Sequence, residues 1–220
     1  VPLQERTDTE LYDMVLPEGS KQEKAFIRLI ATFVTLLKSS CRSLKEVLKQ
    51  TDEADDQRSE FVIKNIFRPV YERYTEALRN SGQIDFTDAI LQATELCRAS
   101  HPVTYDYIIV DEFQDISVDR YNFLKALRES DPPAKLYCVG DDWQSIYRFS
   151  GSDMALFNNF ASFFGPTEIN KIETTYRFGE PLVGLSAQFI QRNTAQIRKD
   201  IRPFSKQTKT ELSFQAYDRN

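Results

Sequence analysis

The sequence predicts an α/β fold with a helical N-terminal part, and three observations lead to that prediction. Apolar side chains recur at helical spacing at 21–38 and again at 59–80. Two short apolar runs, "YIIV" at 107–110 and "KLYCVG" at 135–140, are typical of buried strands, and a helical pattern at about 119–129 lies between them. Strand, helix and strand in that order form the unit of a parallel sheet. We therefore expect a parallel sheet with flanking helices, preceded by a helical subdomain.

The first elements are indicated by apolar spacing and by capping residues. Residues 1–20 show no clear period and predict an irregular lead-in. A helix at 21–38 follows, and Ser43 is a candidate N-cap for a short helix through Leu48. The acidic, polar run 51–60 predicts a solvated loop.

A longer helix is predicted at 59–80, where Pro69 should kink it or begin a second segment, because proline lacks an amide hydrogen. "NSG" at 80–82 is a stop signal, and Asp85 with Asp88 predicts the N-cap of the next helix. The apolar stripe of the longer helix consists of Val62 or Ile63, Ile66, Phe67, Val70, Tyr74 and Leu78.

The C-terminal elements are weakly patterned. "INKIETT", from residue 169, predicts another strand, and a helix is predicted at about 180–192. The predicted organisation is a helical subdomain at 1–82, an α/β part at 83–166, and the start of a further part at 167–220.

The composition excludes several classes of protein. The longest apolar stretch, 25–37, is shorter than the ~20 residues that a membrane-spanning helix needs, and the polar start predicts no signal peptide. Three cysteines and one histidine argue against a disulfide framework and a zinc site, and favour a reducing cytoplasm. The net charge of −5 means that any contact with nucleic acid must be local.

Three acids follow the first predicted strand in "YIIVDEFQD". Ligands of open α/β sheets bind beyond the carboxyl ends of the strands, so Asp111 is placed to hold Mg²⁺ and Glu112 to activate a water. Asp115 lies close behind them. The alternative, that these acids cap the helix starting near residue 117, is equally compatible with the pattern.

The run "VGDDWQSIYRFSG" at 139–151 follows the second strand. Gln144 can hydrogen-bond a phosphate or a water, and Tyr147 and Phe149 flank Arg148, as a groove for single-stranded nucleic acid requires. The alternative is that these aromatic residues and Trp143 belong to a core or an interface.

A third short run, "TTYRF", places Arg177 beside Tyr176. Such a pair can supply a phosphate-binding arginine and a stacking ring. An ordinary surface arginine is the alternative.

Together and in this order, "VDEFQD", "VGDDWQSIYRFSG" and "TTYRF" resemble the motifs of the UvrD/Rep-type superfamily 1 DNA helicases, most closely the DNA helicase IV branch. "DFTDAI" at 85–90 resembles the segment that precedes the acidic motif in that family. The resemblance covers about 83–192 and implies a partial RecA-like P-loop NTPase core, with an N-terminal helical subdomain inserted in the first motor domain.

The resemblance also implies roles for single residues. At the nucleotide, Asp111 would ligate Mg²⁺, Glu112 would activate the attacking water, and Gln114 and Asp115 would support them. Gln144 would sense the γ-phosphate of ATP. From the second RecA-like domain, Arg177 would reach that phosphate and Tyr176 would stack on the adenine.

The implied partners are ATP, Mg²⁺ and single-stranded DNA or DNA with a 3′ single-stranded tail. Tyr147, Arg148 and Phe149 would contact the DNA, and the parent enzyme would be an ATP-dependent 3′–5′ DNA helicase.

No G-x-x-x-x-G-K-[ST] motif occurs, because none of the seven glycines is followed by lysine. We therefore expect the chain to be an internal piece of a longer helicase that does not hydrolyse ATP by itself. The alternative is a non-catalytic DNA- or protein-binding module without a phosphate-binding loop.

Overall fold

The computed structural model describes residues 18–100, 105–129, 134–194 and 196–205, together with Ser213 and Gln215. Nearly all of the predicted irregular lead-in at 1–20 lies outside the described residues. Within them the protein is a mixed α/β structure with two small parallel sheets. The boundaries between the predicted parts, at 82/83 and 166/167, stay predictions.

The first two helices confirm the predicted starts. Helix α1 spans Lys21–Ser39 and is capped by Ser20, whose hydroxyl accepts the Glu23 N–H at 3.0 Å. Helix α2 spans Leu44–Glu53, and Ser43 and Glu46 form a reciprocal capping box. The helix therefore runs beyond Leu48 into the segment predicted as a loop, because its lysines, glutamates and glutamine are good helix formers.

The longer predicted helix has a wider turn in its middle. Helix α3 (Gln57–Val62) continues through a π-helical segment (Ile63–Phe67) into α4 (Arg68–Ser81). The Arg68 N–H donates to the Ile63 carbonyl, and Pro69 follows in the first turn of α4, where a missing amide hydrogen is tolerated. Gly82, with φ +64°, ends α4 as the stop signal predicts.

The π-helical segment also changes which side chains are buried. Ile63 and Phe67 are 5% and 2% exposed, whereas Val62 and Val70 are 42% and 41% exposed. The predicted stripe is therefore wrong at Val70, since the wider turn moves the buried face. Phe67 packs with Val34 and Leu37 in the first core cluster; Ile30, Phe33, Leu44, Val47, Tyr71 and Tyr74 surround it.

A buried lysine holds the start of the next helix, α5 (Phe86–Ser100). The Asp88 N–H donates to Asp85 Oδ1 at 2.8 Å, as the predicted cap requires. Lys38 Nζ donates to Asp85 Oδ2 at 2.6 Å and to Asp88 Oδ1 at 2.7 Å, and Tyr74 donates its hydroxyl to Asp85 at 2.9 Å. This ion-pair cluster joins α1, α4 and α5.

The predicted strand–helix–strand unit is confirmed. Strand β1 (Tyr107–Val110), helix α6 (Val118–Arg128) and strand β2 (Lys135–Cys138) follow in order, and the strands pair in parallel from Tyr107↔Lys135 to Val110↔Cys138. One face of this sheet is exposed at four apolar positions: Tyr107, Ile109, Tyr137 and Val139.

The second core cluster lies on the other side of β1 and β2. It contains Phe113, Ile116, Leu156 and Phe164, contributed partly by helices α7 (Met154–Asn158) and α8 (Phe160–Phe164). Val110, Leu136 and Cys138 pack against it from the strands.

The last elements form a second small sheet. Strands β3 (Thr174–Thr175) and β4 (Arg202–Pro203) pair in parallel, and α9 (Glu180–Ile190) lies between them in the chain. The strand predicted from residue 169 is thus shorter than expected, because Ile169 and Ile172 are 71% and 82% exposed and find no core there. No helix of the described part of the chain is long and apolar enough to span a membrane.

Candidate functional site

The acids after β1 are presented to solvent by a strained turn. Asp111 Oδ1 accepts the Glu112 N–H at 2.9 Å, and both side chains are exposed. Glu112 has φ +50°, a left-handed conformation that is uncommon for residues with a side chain and that often marks functional sites. The turn aims two carboxylates outward at the carboxyl end of a strand.

The capping alternative is not what the structure shows. Helix α6 begins at Val118, and Ser117 rather than an acid stands at its N-cap position. Ser117 donates its hydroxyl to Asp119 instead. Asp111, Glu112 and Asp115 are therefore not the caps of this helix.

Gln114 joins the two loops that follow β1 and β2. Its side chain is 2% exposed; Nε2 donates to Glu112 Oε2 at 2.7 Å, and Oε1 accepts the Asp141 N–H at 2.9 Å. The close approach requires glycine at 140, where a Cβ would lie 2.7 Å from Gln114 Oε1 and 2.8 Å from the Phe157 ring. Gln114 thereby fixes the orientation of Glu112 relative to the second loop.

Asp115 is partly buried behind this pair. Burial raises the pKa of its carboxyl, the charge of Glu112 raises it further, and Arg120 opposes both. Its Oδ1 is buried and has no hydrogen-bond partner among the residues that the structure describes. Such an atom can accept a bond from a water or a ligand.

Gln144 is held by Asp141. Gln144 Nε2 donates to Asp141 Oδ2 at 2.7 Å, and the Trp143 N–H donates to Asp141 Oδ1 at 3.1 Å. Although burial raises the pKa of Asp141, the hydrogen bonds from Gln144 and Lys199 and the charge of Lys199 outweigh it, so this pKa is lowered. The carboxylate remains a charged acceptor for Gln144.

A set of contacts around Trp143 was not predicted. Its Nε1 donates to the Ile197 carbonyl at 3.0 Å, and the Ile197 N–H donates to Asp142 Oδ2 at 2.7 Å. Lys199 pairs with Asp141 and Asp142. In the sequence, only the second aspartate of "GDDW" could have indicated these contacts. Of the aromatic residues in this run, Trp143 is the one for which the interface alternative holds.

Tyr147 and Phe149 are exposed rather than part of a core. They are 46% and 66% exposed, with ring centroids 5.8 Å apart, and the exposed Arg148 lies between them in the chain. Gly151, with φ +99°, ends their turn so close to α1 that a Cβ would lie 2.4 Å from the Ser39 hydroxyl. The rings therefore stand on a turn packed against the end of α1, available for stacking.

Tyr176 and Arg177 directly follow β3 of the other sheet. The Tyr176 ring packs on Phe204 with centroids 4.7 Å apart and remains 75% exposed, and the Arg177 N–H donates to Thr175 Oγ1 at 3.3 Å. Among the described residues, no hydrogen bond or ion pair joins either side chain to Glu112 or Gln144. The structure thus brings together the motifs after β1 and β2 and leaves the third apart from them.

Asp111 has the chemistry of a magnesium ligand. In the described ranges, no group of three or more histidine, cysteine, aspartate or glutamate side chains forms a metal cluster. Mg²⁺ is commonly held by one or two carboxylates together with substrate phosphates and water. The exposed Asp111 carboxylate fits that donor set.

Comparison with known proteins points to one family. Residues 3–165 match the family model described as the UvrD/REP helicase N-terminal domain. DNA helicase IV of Escherichia coli (strain K12) is 32% identical over 199 residues, which are 88% of this chain and 29% of the relative. The putative ATP-dependent DNA helicase YjcD of Bacillus subtilis (strain 168) is 28% identical over 70% of this chain and 21% of its own length. DNA helicase II of E. coli is 28% identical over 63% of this chain and 20% of its own length. The chain therefore spans less than a third of these relatives.

Proposed function

Because the chain belongs to the UvrD/REP helicase N-terminal domain family, we propose that it forms part of the motor of an ATP-dependent DNA helicase that moves 3′ to 5′. The observation that carries this proposal is the line of hydrogen bonds from Glu112 through Gln114 and Asp141 to Gln144. It joins the acids after β1 to the loop with the exposed aromatic rings. An enzyme that couples nucleotide hydrolysis to movement along DNA needs such a link.

The nucleotide side of the site consists of four residues. Asp111 would hold Mg²⁺ at the bound nucleotide, and Glu112 would take the proton of the attacking water. Gln114 orients Glu112 through their hydrogen bond, and the partly buried Asp115 lies next to them and supports the site. Bound Mg²⁺ would neutralise the charge that develops on the phosphates. The position of these acids beyond a parallel strand supports a RecA-like arrangement of the sheet.

The DNA side of the site lies beyond Gln144. Tyr147 and Phe149 stack on successive bases of a single strand, and Arg148 contacts its phosphates. The exposure of both rings supports this role. The substrate in this proposal is single-stranded DNA or DNA with a 3′ single-stranded tail, and the three free cysteines support a cytoplasmic location.

Arg177 and Tyr176 complete the nucleotide site when the two sheets close. Arg177 then reaches the γ-phosphate and Tyr176 stacks on the adenine. Their place directly after β3, together with the 75% exposure of Tyr176, supports a contribution from a separate motor domain. Closure driven by ATP would move that domain relative to the loop that holds the DNA.

ATPase assays with and without single-stranded DNA test the proposal, on this chain and on the full-length protein. We expect the chain alone to be inactive, since its 220 residues contain no phosphate-binding loop motif. We expect DNA-stimulated hydrolysis in the full-length protein, reduced about 100-fold or more by Glu112→Gln. Glu129→Gln, at the exposed end of α6, is the matched control and should leave the rate unchanged. A full-length protein that hydrolyses ATP equally well with Glu112→Gln would contradict the assignment.

The missing loop motif favours a second candidate, which is a DNA- or protein-binding module without catalysis. In that case the full-length protein would bind single-stranded DNA but would not hydrolyse ATP. Binding of a fluorescent oligonucleotide, measured beside the ATPase assay, separates the two candidates.

A further inference from the structure

Lys199 occupies the centre of the unpredicted contacts around Trp143. Its side chain is 16% exposed, and its Nζ pairs with Asp141 and lies 2.5 Å from Asp142 Oδ1. The same Nζ lies 5.2 Å from the centroid of the Trp143 ring, within the range of a cation–π contact. One ammonium group thus contacts three consecutive residues of the loop after β2.

The two aspartates need this charge. Asp142 is fully buried, and its neighbour Asp141 is 37% exposed, so two carboxylates are adjacent in a partly dehydrated place. Asp142 Oδ2 accepts the Ile197 N–H, whereas Asp142 Oδ1 has no aligned hydrogen-bond donor in the described part of the chain, where Lys199 supplies its counter-charge. Without the ammonium group the carboxylates would repel each other, and Asp142 would be buried as an unpaired charge.

Gln144 depends on the same carboxylate. Asp141 Oδ1 is shared by Lys199 and the Trp143 N–H, and this leaves Oδ2 facing Gln144. Loss of Lys199 leaves the weaker Trp143 N–H bond to Oδ1, so repulsion from Asp142 can rotate the Asp141 carboxylate and release Gln144.

Lys199 also belongs to the segment that leads into the second sheet. Lys199 lies between α9 and β4 in the chain. Strand β4 pairs with β3, and β3 directly precedes Tyr176 and Arg177. The contacts of Ile197 and Lys199 therefore attach that sheet to the loop after β2. A displacement of the segment 196–199 would therefore be transmitted to Asp141 through its ion pair with Lys199.

We propose that Lys199 is a positioning residue, which holds Asp141 as the acceptor for Gln144 and transmits movement of the β3–β4 sheet to the loop after β2. The inference rests on the proposed helicase function. It predicts that the charge of Lys199 is needed for coupling between DNA and ATP hydrolysis, through Gln144, rather than for binding of ATP.

The junction itself can be observed by fluorescence, because Trp143 is the sole tryptophan of the 220 residues. We expect Lys199→Met to move Trp143 emission to longer wavelength and to increase its quenching by acrylamide, since the ring loses the cation and its cover. Lys199→Arg should keep the wild-type emission. Lys125→Met, which removes an exposed lysine of α6, is the control for loss of charge. Wild-type emission and quenching in Lys199→Met would overturn the proposed junction.

The coupling is tested by steady-state ATPase kinetics of the full-length protein at saturating single-stranded DNA. We expect Lys199→Met to lower kcat about tenfold, within the range of ordinary coupling energies, while KM for ATP changes by less than about twofold. Lys199→Arg should restore kcat. If Lys199→Met loses the wild-type circular dichroism spectrum, Lys199→Gln replaces it with the same expectation.

The outcomes separate the inference from the proposed function. Wild-type protein without DNA-stimulated hydrolysis would end both. Stimulated hydrolysis in the wild type with the same kcat in Lys199→Met would overturn the inference alone, as would an increase in KM with unchanged kcat. Failure of Lys199→Arg to restore kcat would show that charge is not what Lys199 contributes.

Discussion

Replacing Lys38 by methionine should remove about 3 kcal/mol from the free energy of unfolding. The lysine is 7% exposed and donates two charge-assisted hydrogen bonds, at 2.6 and 2.7 Å, to Asp85 and Asp88. Each such bond contributes about 1.5–3 kcal/mol. We use the lower value for each of the two bonds, which gives about 3 kcal/mol in total. The lower value is appropriate because both carboxylates are 24% exposed and keep other donors, namely Tyr74 and backbone N–H groups.

Thermal unfolding followed by circular dichroism measures this loss. For a chain of this size 1 kcal/mol corresponds to about 2–4 °C, so we expect Tm to fall by about 9 °C. Lys64→Met is the control, since Lys64 is 48% exposed and its pair with Glu60 contributes less than about 0.5 kcal/mol. Equal Tm values for the two variants would refute the reasoning.

The pH dependence gives a second check on the same cluster. Burial lowers the pKa of Lys38, but hydrogen bonds and charges of Asp85 and Asp88 outweigh it, so the folded pKa lies above its usual 10.5. Burial raises the pKa of Asp85, but the bond from Lys38 and the other donors hold it below its usual 3.8. The stabilisation is therefore complete between these usual values, and is lost as pH rises through the folded pKa of Lys38 or falls through that of Asp85. We expect the stability difference between wild type and Lys38→Met to shrink below pH 3.8.

Three further predictions concern the site and the thiols. Gly140→Ala should cost about 1–3 kcal/mol in urea unfolding, since its Cβ would meet the buried glutamine side chain at 2.7 Å. The control Gly184→Ala, inside α9 with nothing within 4 Å of its Cβ, should stabilise by about 0.5–1 kcal/mol; equal midpoints for the two variants would contradict this. Burial raises the pKa of Cys138 to about 12, so this thiol should react with Ellman's reagent at pH 8 far more slowly than the exposed Cys41. Mass spectrometry of the partly labelled protein measures the order of labelling, and labelling of Cys138 before Cys41 would contradict the burial. Phe149→Ala should weaken binding of a fluorescent single-stranded oligonucleotide by about 1–3 kcal/mol without changing Tm, and Phe149→Trp should retain it; unchanged affinity in the alanine variant would argue against stacking.

Local patterns were enough to predict most of the architecture. The parallel pairing of β1 and β2 followed from two apolar runs with a helix between them, and the caps at Ser43 and Asp85 followed from short polar signals. Pro69 predicted an interruption of the helix but not that it would be a π-helical turn. Such a turn depends on which carbonyl accepts each N–H, and the sequence pattern does not show this.

Contacts between distant residues were beyond prediction from this sequence. Lys38 lies 47 residues from Asp85, and Lys199 lies 58 residues from Asp141. Neither lysine stands out locally, since a single lysine in a sequence is ordinarily a solvated side chain. Asp111, Glu112 and Gln144 could be singled out because each follows a strand within a short run, whereas Gln114 was indicated by the family resemblance alone. Their roles in hydrolysis stay predictions.

The π-helical segment has a consequence for insertions and deletions. Five residues, Ile63–Phe67, occupy a turn that four would fill in an α-helix, so this turn holds one residue more than a regular helix needs. Deleting one residue there would restore regular hydrogen bonds and keep the direction in which Tyr71 and Tyr74 face the core. The same deletion inside α4 would rotate every later side chain by about 100° and separate Tyr74 from Asp85. Natural length variation within this helix should therefore be confined to the wide turn, and a series of single-residue deletions along 57–81, scored by thermal unfolding, should show its smallest loss of Tm there.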